Sequence, residues 1–462
     1  MLKWFCEGGT GGTLRVTKVF YSVRRKPIQP LEQPFDLLSP FINACKPRER
    51  WRMGMEFESF IFAGDFSRRA TAKEIQSLLA LFQKTEGTFI KEGEEVIGLD
   101  LLAGALTLEP GGQFEFSAPP LARIAEVATL FETYQRRLVG ACAALGLKAV
   151  CMGYDPVTSL EERFWMPKAR YKVMAPYMLK KGTLGQEMMT GTCTTQINLD
   201  YASERDMVQK MRVAMALQPL ATALFANSPL VKGEGTKYLS YRRHIWNHTD
   251  PDRCGLLSFV FEDNMGFERY VNYALSVPMY FVKRGGAYIN VAGRSFRDFL
   301  AGNLPELPGE KPLMQDWLDH LTTLFPEVRL KNVLELRGAD SAPFPQVCQL
   351  AALWVGLLYD EETLQSAHDM VMSWKVEDIM ATQETVPLQG LGSRIGKATL
   401  QEIARDILPM ARRGLARLGE EEAHFLSLEE IARTGRVDAH ALLDAREKAQ
   451  NMAAFMNQIA LG

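Results

Sequence analysis

The amino-acid sequence predicts a mixed α/β (α+β) protein, in which a large body of strands and helices is followed by a helical C-terminal region. Three observations carry that expectation. From about Pro34 to about Gly338, strand-like segments alternate with helical ones. From about Val347 onward the strand signals stop, and apolar residues recur three or four positions apart. The 462 residues are 47% hydrophobic and 23% charged, a globular balance that excludes a fibrous protein and disorder over most of the chain. The expected organisation is a peripheral or flexible extension over 1–33, a body over 34–346, and a helical region over 347–462 packed on it.

Each element has its own signal. The first 33 residues contain Gly8-Gly9-Thr10-Gly11-Gly12 and the basic patch Arg24-Arg25-Lys26; no Gly-Lys-Ser/Thr follows, so the glycines are not a P-loop. Apolar residues spaced three or four apart predict helices over 71–84, 121–145 and 204–225. Strands are expected over 51–62, 106–117, 148–153, 192–200, 257–262, 288–291 and 332–337. The C-terminal region reads as helices over 350–358, 362–374, 400–418 and 439–459.

Lysine and arginine total 53 against 55 aspartates and glutamates, a formal net charge of −2. Phosphate-binding surfaces normally show a basic excess, so nucleic acid is not an expected partner. No apolar run approaches the ~20 residues that cross a bilayer, so neither is a membrane. The seven cysteines (Cys6, Cys45, Cys142, Cys151, Cys193, Cys254, Cys348) form no CxxC pair, which signals neither a zinc ribbon nor a thioredoxin-type site. No secretory signal is read at the N-terminus, and a reducing cytoplasm is the expected compartment.

The strands carry the chemistry, because residues i and i+2 share one face. Over 53–60, Glu56 and Glu58 project together, opposite Met55 and Phe57. Over 106–116, Glu109, Gly111, Gln113 and Glu115 oppose Leu106, Leu108, Phe114 and Phe116. Over 192–200, Thr192, Thr194, Gln196, Asn198 and Asp200 line up against Cys193, Thr195, Ile197 and Leu199. Over 333–337, Glu335 and Arg337 oppose Leu334 and Leu336. A solvated sheet face is the ordinary reading of any one such strand, but solvated faces usually mix in lysine, and lysine is absent from all four. Five glutamates with Gln113 and Asn198 form an oxygen donor set suited to Mg²⁺. Were the four faces to meet, their charge would need a cation, since carboxylates a few Å apart cannot all stay ionised. Magnesium usually arrives with nucleotide phosphates, which points to phosphoryl chemistry.

Cationic partners are expected from loops: Lys168, Arg170 and Lys172 after Pro167, then Arg242 and Arg243 beside Trp246, and Arg253. Arginine forks suit carboxylates and phosphates, while a plain basic surface loop is the alternative. His244 and His248 stand four apart, but their segment does not read as a helix and no third zinc ligand lies nearby. Cys193 sits on an apolar face and reads as core, and no GxSxG motif occurs.

These segments together resemble the plant-type glutamate–cysteine ligase family, also found in proteobacteria. The resemblance runs from about Lys46 through 51–62, Glu109-Pro110-Gly111-Gly112-Gln113-Phe114-Glu115, Met166-Pro167-Lys168-Ala169-Arg170-Tyr171, 188–201, 217–229, 245–255, 325–340 and 353–360. It implies a glutamine-synthetase-like fold, a curved antiparallel sheet forming a funnel with helices outside. It also implies a two-step reaction in which ATP phosphorylates a substrate carboxylate and an amine attacks the acyl phosphate to give an amide. On this chain it implies metal ligation by Glu56, Glu58, Glu109, Glu115 and Glu335, with Gln113 assisting, and catalytic roles for Glu56, Glu58 and Arg337. Arg170, Thr192, Thr194, Arg242 and Trp246 are expected against the substrate, and Lys172, Asn198 and Arg253 toward the nucleotide. The implied cofactors are ATP and Mg²⁺, the partners amino acids, and the state a monomer or homodimer.

The chain also departs from the family. Where the family reads Gly-Thr-Glu-His-Glu-Lys, this sequence has Gly54-Met55-Glu56-Phe57-Glu58-Ser59. Arg-Thr-Cys-Thr is here Gly191-Thr192-Cys193-Thr194, so a cation is lost beside a substrate strand. The motif Ala-Asp-Gly-Gly-Pro-Trp becomes Ala339-Asp340-Ser341-Ala342-Pro343-Phe344. Three expectations stay open: activation of a different carboxylate, γ-glutamylcysteine synthesis with another arginine such as Arg243 taking over, and a catalytically silent ATP- and amino-acid-binding homologue.

Overall fold

A computed structural model describes residues 31, 34–84 and 86–462; the expectations for the glycine cluster and basic patch of 1–33 lie outside them. The organising strand is β1 (Met53–Ala63), whose first half alternates between buried and half-buried residues and whose second half is almost wholly buried. Met53, Met55 and Phe57 enter the main core, whereas Phe60 and Phe62 join a smaller one with Phe455 and Met456. The strands that follow are β2 (Thr88–Glu92), β3 (Glu95–Leu101), β4 (Gly104–Leu108), β5 (Phe114–Ser117), β6 (Leu147–Val150), β7 (Thr195–Leu199), β8 (Val328–Leu330) and β9 (Leu334–Leu336). They form a nine-stranded sheet in the order β8-β9-β7-β1-β5-β4-β3-β2, with β6 also pairing β1. The pairings within it are antiparallel.

Helices cover the apolar face. They include α1 (Ala72–Gln83), α2 (Ile124–Ala144), α3 (Ala169–Lys181), α4 (Gly185–Gly191), α5 (Glu204–Leu224), α6 (Tyr241–Asn247), α7 (Gln346–Leu358) and α8 (Leu400–Leu418). α1 starts at a capping box, Thr71 with Glu74. α7 is apolar nearly all round and buried from Val347 to Leu358, as a helix enclosed on every side must be. It packs against β1, β7, α2 and α8, so the helical region shares the core of the body.

Several expectations are corrected. The strand expected over 106–117 is two strands, β4 and β5, because Gly112 turns the chain at φ 75°. The segment 257–262 contains a 3₁₀ turn, Ser258–Phe261, whose apolar run is buried without pairing. Ala287–Asn290 pairs only with Phe281–Arg284, apart from the main sheet. The C-terminal helix divides into Asp438–Lys448 and Met452–Ile459, with Asn451 capping the second. The supposed basic loops are helical: Arg170 belongs to α3, and Arg242 and Trp246 to α6, which also contains His244.

Candidate active site

Strand register assembles the polar face. In the antiparallel ladders Glu58 stands opposite Glu115, Glu56 opposite Gln196, and Asn198 opposite Glu335. One continuous carboxylate- and amide-rich surface therefore crosses β5, β1, β7 and β9. The turn between β4 and β5 adds Glu109. That turn is pressed on the end of α4: a Cβ on Gly111 would come within 2.8 Å of Thr190 Cα, so only glycine fits. Gln113 then locks it, accepting from Gly111 N at 2.8 Å and donating to Met189 O at 3.1 Å and Thr192 O at 2.9 Å.

The surface borders a cavity of about 240 Å³ lined by Glu56, Glu58, Glu109, Gln113, Glu115 and Glu335 on one side. Arg170, Arg242, Trp246, Arg329 and Arg337 bring positive and aromatic groups, while Pro110, Tyr171, Met174, Met188, Met189 and Phe281 add a largely apolar wall. α6 places Arg242 and Trp246 four residues apart on one helix face. Two guanidiniums approach the Trp246 ring, Arg242 at 5.9 Å and Arg337 at 5.6 Å from its centroid. Arg337 donates to Gln196 at 2.7 Å and to Glu335 at 2.8 Å. Arg170 Nε, Arg242 Nε and Trp246 Nε1 are buried donors with no protein acceptor.

The carboxylates divide into two electrostatic groups. Burial, then the charges of Glu109 and Glu115, push Glu58 well above the ordinary carboxylate range, against the pull of Arg242. Burial, then Glu109 and Glu56, push Glu115 up to about 7. Glu56 is raised by burial and by Glu335, although Asn198 Nδ2 donates to it at 2.9 Å. Glu335 is the opposite case. Burial works against its charge, yet Arg329, Lys331 and Arg337 hold it well below the ordinary range.

Other expected site residues are placed differently. Glu335 lines the cavity, but each of its oxygens meets two cationic donors: Arg329 and Arg337 on Oε1, Arg329 and Lys331 on Oε2. Its lone pairs are therefore turned to cations, and in this structure it anchors Arg329 and Arg337. Gln113 is likewise a backbone clamp. Arg253 is fully buried away from the cavity, bonded to Asp250, Thr323 O and Pro278 O. Lys172 is exposed and does not line the cavity, because it lies on the solvent side of α3. Thr192 and Thr194 line it, with their hydroxyls tied to Met188 O and Ala339 O. Asn198 reaches the site by donating Nδ2 to Glu56.

Arg243 is bonded to Glu327 and Gln383, outside the cavity. Arg329 was not singled out from the sequence; its signal is its register opposite Glu335 on the β8–β9 hairpin. Among the described residues, no group of three or more His, Cys, Asp or Glu side chains is placed to hold a metal ion.

An antiparallel sheet turns carboxylates toward arginines across one cavity, and the relatives of the chain give its class: an ATP-dependent ligase that forms an amide bond between amino acids. The chain belongs to glutamate–cysteine ligase family 2, whose family profile matches residues 52–457. It is 44% identical to the chloroplastic glutamate–cysteine ligase of Brassica juncea over 411 residues, 88% of this chain and 80% of that protein. It is 45% identical to the chloroplastic glutamate–cysteine ligase B of Oryza sativa subsp. japonica over 416 residues, 89% of this chain and 84% of that protein.

The crystal structure of glutamate–cysteine ligase from Francisella tularensis in complex with AMP shares the fold. Its TM-score is 0.55 at 10% identity, covering 88% of this chain and 87% of that one. The expected antiparallel architecture with outer helices is therefore present. The expected cytoplasmic compartment is corrected by the relatives, which are chloroplastic proteins. No helix among the described residues is long and apolar enough to cross a membrane.

Proposed function

We propose that the chain forms γ-glutamylcysteine: ATP phosphorylates the side-chain carboxylate of glutamate, and the amino group of cysteine displaces phosphate from the acyl phosphate. In the first step the bond between the γ-phosphorus and its bridging oxygen breaks, and ADP leaves. In the second the new C–N bond forms as the acyl C–O bond breaks, with loss of a proton from the amine. The names of relatives at 44% and 45% identity support the substrate pair.

The observation that carries the reading is the facing of two unlike walls in one cavity, Glu56, Glu58, Glu109 and Glu115 against Arg170, Arg242 and Arg337. Arg170 and Arg242 bring buried, unpartnered donors that suit substrate carboxylates. Arg337, held by Gln196 and Glu335, offers fixed positive charge for the transferring phosphoryl group. The all-oxygen donor set and the raised Glu56, Glu58 and Glu115 fit a hard divalent cation. Mg²⁺ commonly takes one or two carboxylates plus substrate phosphates. One or two of Glu56, Glu58, Glu109 and Glu115 would hold it, and bound there it would supply neutralising charge to the triphosphate.

The test is ADP release with Mg-ATP over a matrix of amino-acid pairs, with product mass measured. Turnover confined to glutamate plus cysteine is expected. Turnover only with another pair assigns a changed carboxylate, which Gly191 would favour; no ADP with any pair leaves a silent binding homologue.

A further inference from the structure

Arg163 was not part of the site as read from the sequence, yet it lies directly behind one of the cavity walls. Its side chain is 1% exposed and carries four contacts. Nη1 donates to Glu187 at 2.5 Å, Nη2 donates to the Tyr154 hydroxyl and to Thr158 O, each at 2.8 Å, and Nε lies 3.6 Å from Asp155. The Tyr154 hydroxyl donates in turn to the same Glu187 oxygen at 2.7 Å. Glu187 belongs to α4, and the next two residues, Met188 and Met189, line the cavity.

The last residue of α4 is Gly191. A Cβ there would overlap Arg163 Nη1, lie 2.7 Å from its Cζ and lie 3.0 Å from the Tyr154 ring. The guanidinium thus occupies the volume that any side chain at 191 would need. It touches the helix at both ends of its last turn, through the Glu187 carboxylate and the Gly191 backbone.

We propose that Arg163 is a positioning residue of the amino-acid subsite: wedged between Glu187 and Gly191, it sets α4 so that Met188 and Met189 form the apolar wall against which a substrate side chain packs. This rests on the ligase reading above. The cation missing at 191 is accordingly replaced in space by one from 28 residues earlier, but this one faces Glu187 and Asp155 and not the cavity. The wall it supports discriminates by shape.

The test uses the full chain with Arg163→Ala, Arg163→Lys, Gly191→Ala and the double variant Arg163→Ala/Gly191→Ala, measuring kcat and each KM separately. The expected result for Gly191→Ala and Arg163→Ala is a rise of about tenfold in KM for one amino acid, with KM for ATP and kcat within about twofold. Arg163→Lys should recover part of the loss. The double variant should cost no more than Arg163→Ala alone, since the methyl at 191 then has room. Wild-type kinetics in Gly191→Ala, additive losses in the double variant, or equal losses in kcat and KM for ATP would each overturn the assignment. Gly191→Ala decides the matter even if Arg163→Ala does not fold. If the unsubstituted chain releases no ADP with any pair, the ligase reading itself falls, and the inference with it.

Discussion

Arg329 grips Glu335 with both arms of its guanidinium, Nε to Oε2 and Nη2 to Oε1, each at 2.7 Å. The pair bridges β8 and β9 with the carboxylate fully buried, and the remaining acceptor positions go to Lys331 and Arg337. Breaking a buried pair by removing one partner typically costs about 3–5 kcal/mol. Arg329→Met is expected at the low end of that range, because two cations still face Glu335. Urea unfolding measures it. Glu335 is held below its unfolded pKa, so its contribution is present above that value and is lost as pH falls through the lower folded one. Arg329→Met should therefore lose part of the wild-type's acid sensitivity; an unchanged midpoint would reject the anchor role.

Glu58 is in the contrary position. It is buried with Glu109 and Glu115 as its strongest charged neighbours, while Arg242 and the Thr194 N–H pull its charge back. Glu58→Gln removes a repelled charge and keeps an acceptor for Thr194. Its thermal midpoint should equal or exceed that of the unsubstituted chain, while ADP formation falls on the order of 100-fold or more, as when a fixed catalytic charge is removed. Unchanged activity would refute the carboxylate wall as the phosphate–metal face.

A pH dependence follows from Glu115, raised from 4.5 to about 7. A carboxyl that binds its proton more tightly when folded contributes stability below its unfolded pKa and loses it as pH rises through the folded one. The nucleotide-free protein should thus lose stability between about pH 4.5 and pH 7 from this group, and Glu115→Gln should flatten that slope. Mg²⁺ should raise the melting temperature more at about pH 8 than at about pH 5.5, with chelation reversing the gain. A Mg²⁺ effect that ignores pH would count against these ligands.

The polar face was legible because period-two alternation is a local property: Glu56 with Glu58, and Glu335 with Arg337, share a face in any strand. What alternation cannot report is which strand lies beside which. The Glu58–Glu115 and Glu56–Gln196 oppositions come from sheet order, fixed by long-range packing. Arg253 illustrates the same gap, since its cationic type suggested phosphate while Asp250 and two carbonyls already satisfy it. The apolar run over 257–262 looked like a strand because burial alone was visible, and no neighbouring strand takes its backbone bonds. Arg163 was hidden for a related reason, as its meaning depends on the volume vacated by Gly191, 28 positions away.

Asp340 makes the last case, because it organises Arg242 from outside the cavity. Its Oδ2 accepts from Asn227 N at 2.9 Å and Ser228 Oγ at 2.6 Å, and its Oδ1 accepts from Ser240 Oγ at 2.8 Å. Ser240 in turn caps α6 by accepting from Arg243 N, and Arg242 Nη1 lies 3.9 Å from Oδ1. The carboxylate thus sets both the start of the helix and the counter-charge of its arginine. Asp340→Asn keeps the shape but must turn an amide N–H₂ toward a donor or toward the guanidinium. The expected cost is about 1–3 kcal/mol of stability, from the buried bond left unmade. A structural defect alone would stop there. A positioning role adds a rise of about tenfold in KM for the amino acid whose carboxylate Arg242 reads, with KM for ATP little changed. Steady-state kinetics on the folded variant separate the two, and KM values for both amino acids unchanged from those of the unsubstituted chain would mean that Arg242 does not depend on Asp340 for its place.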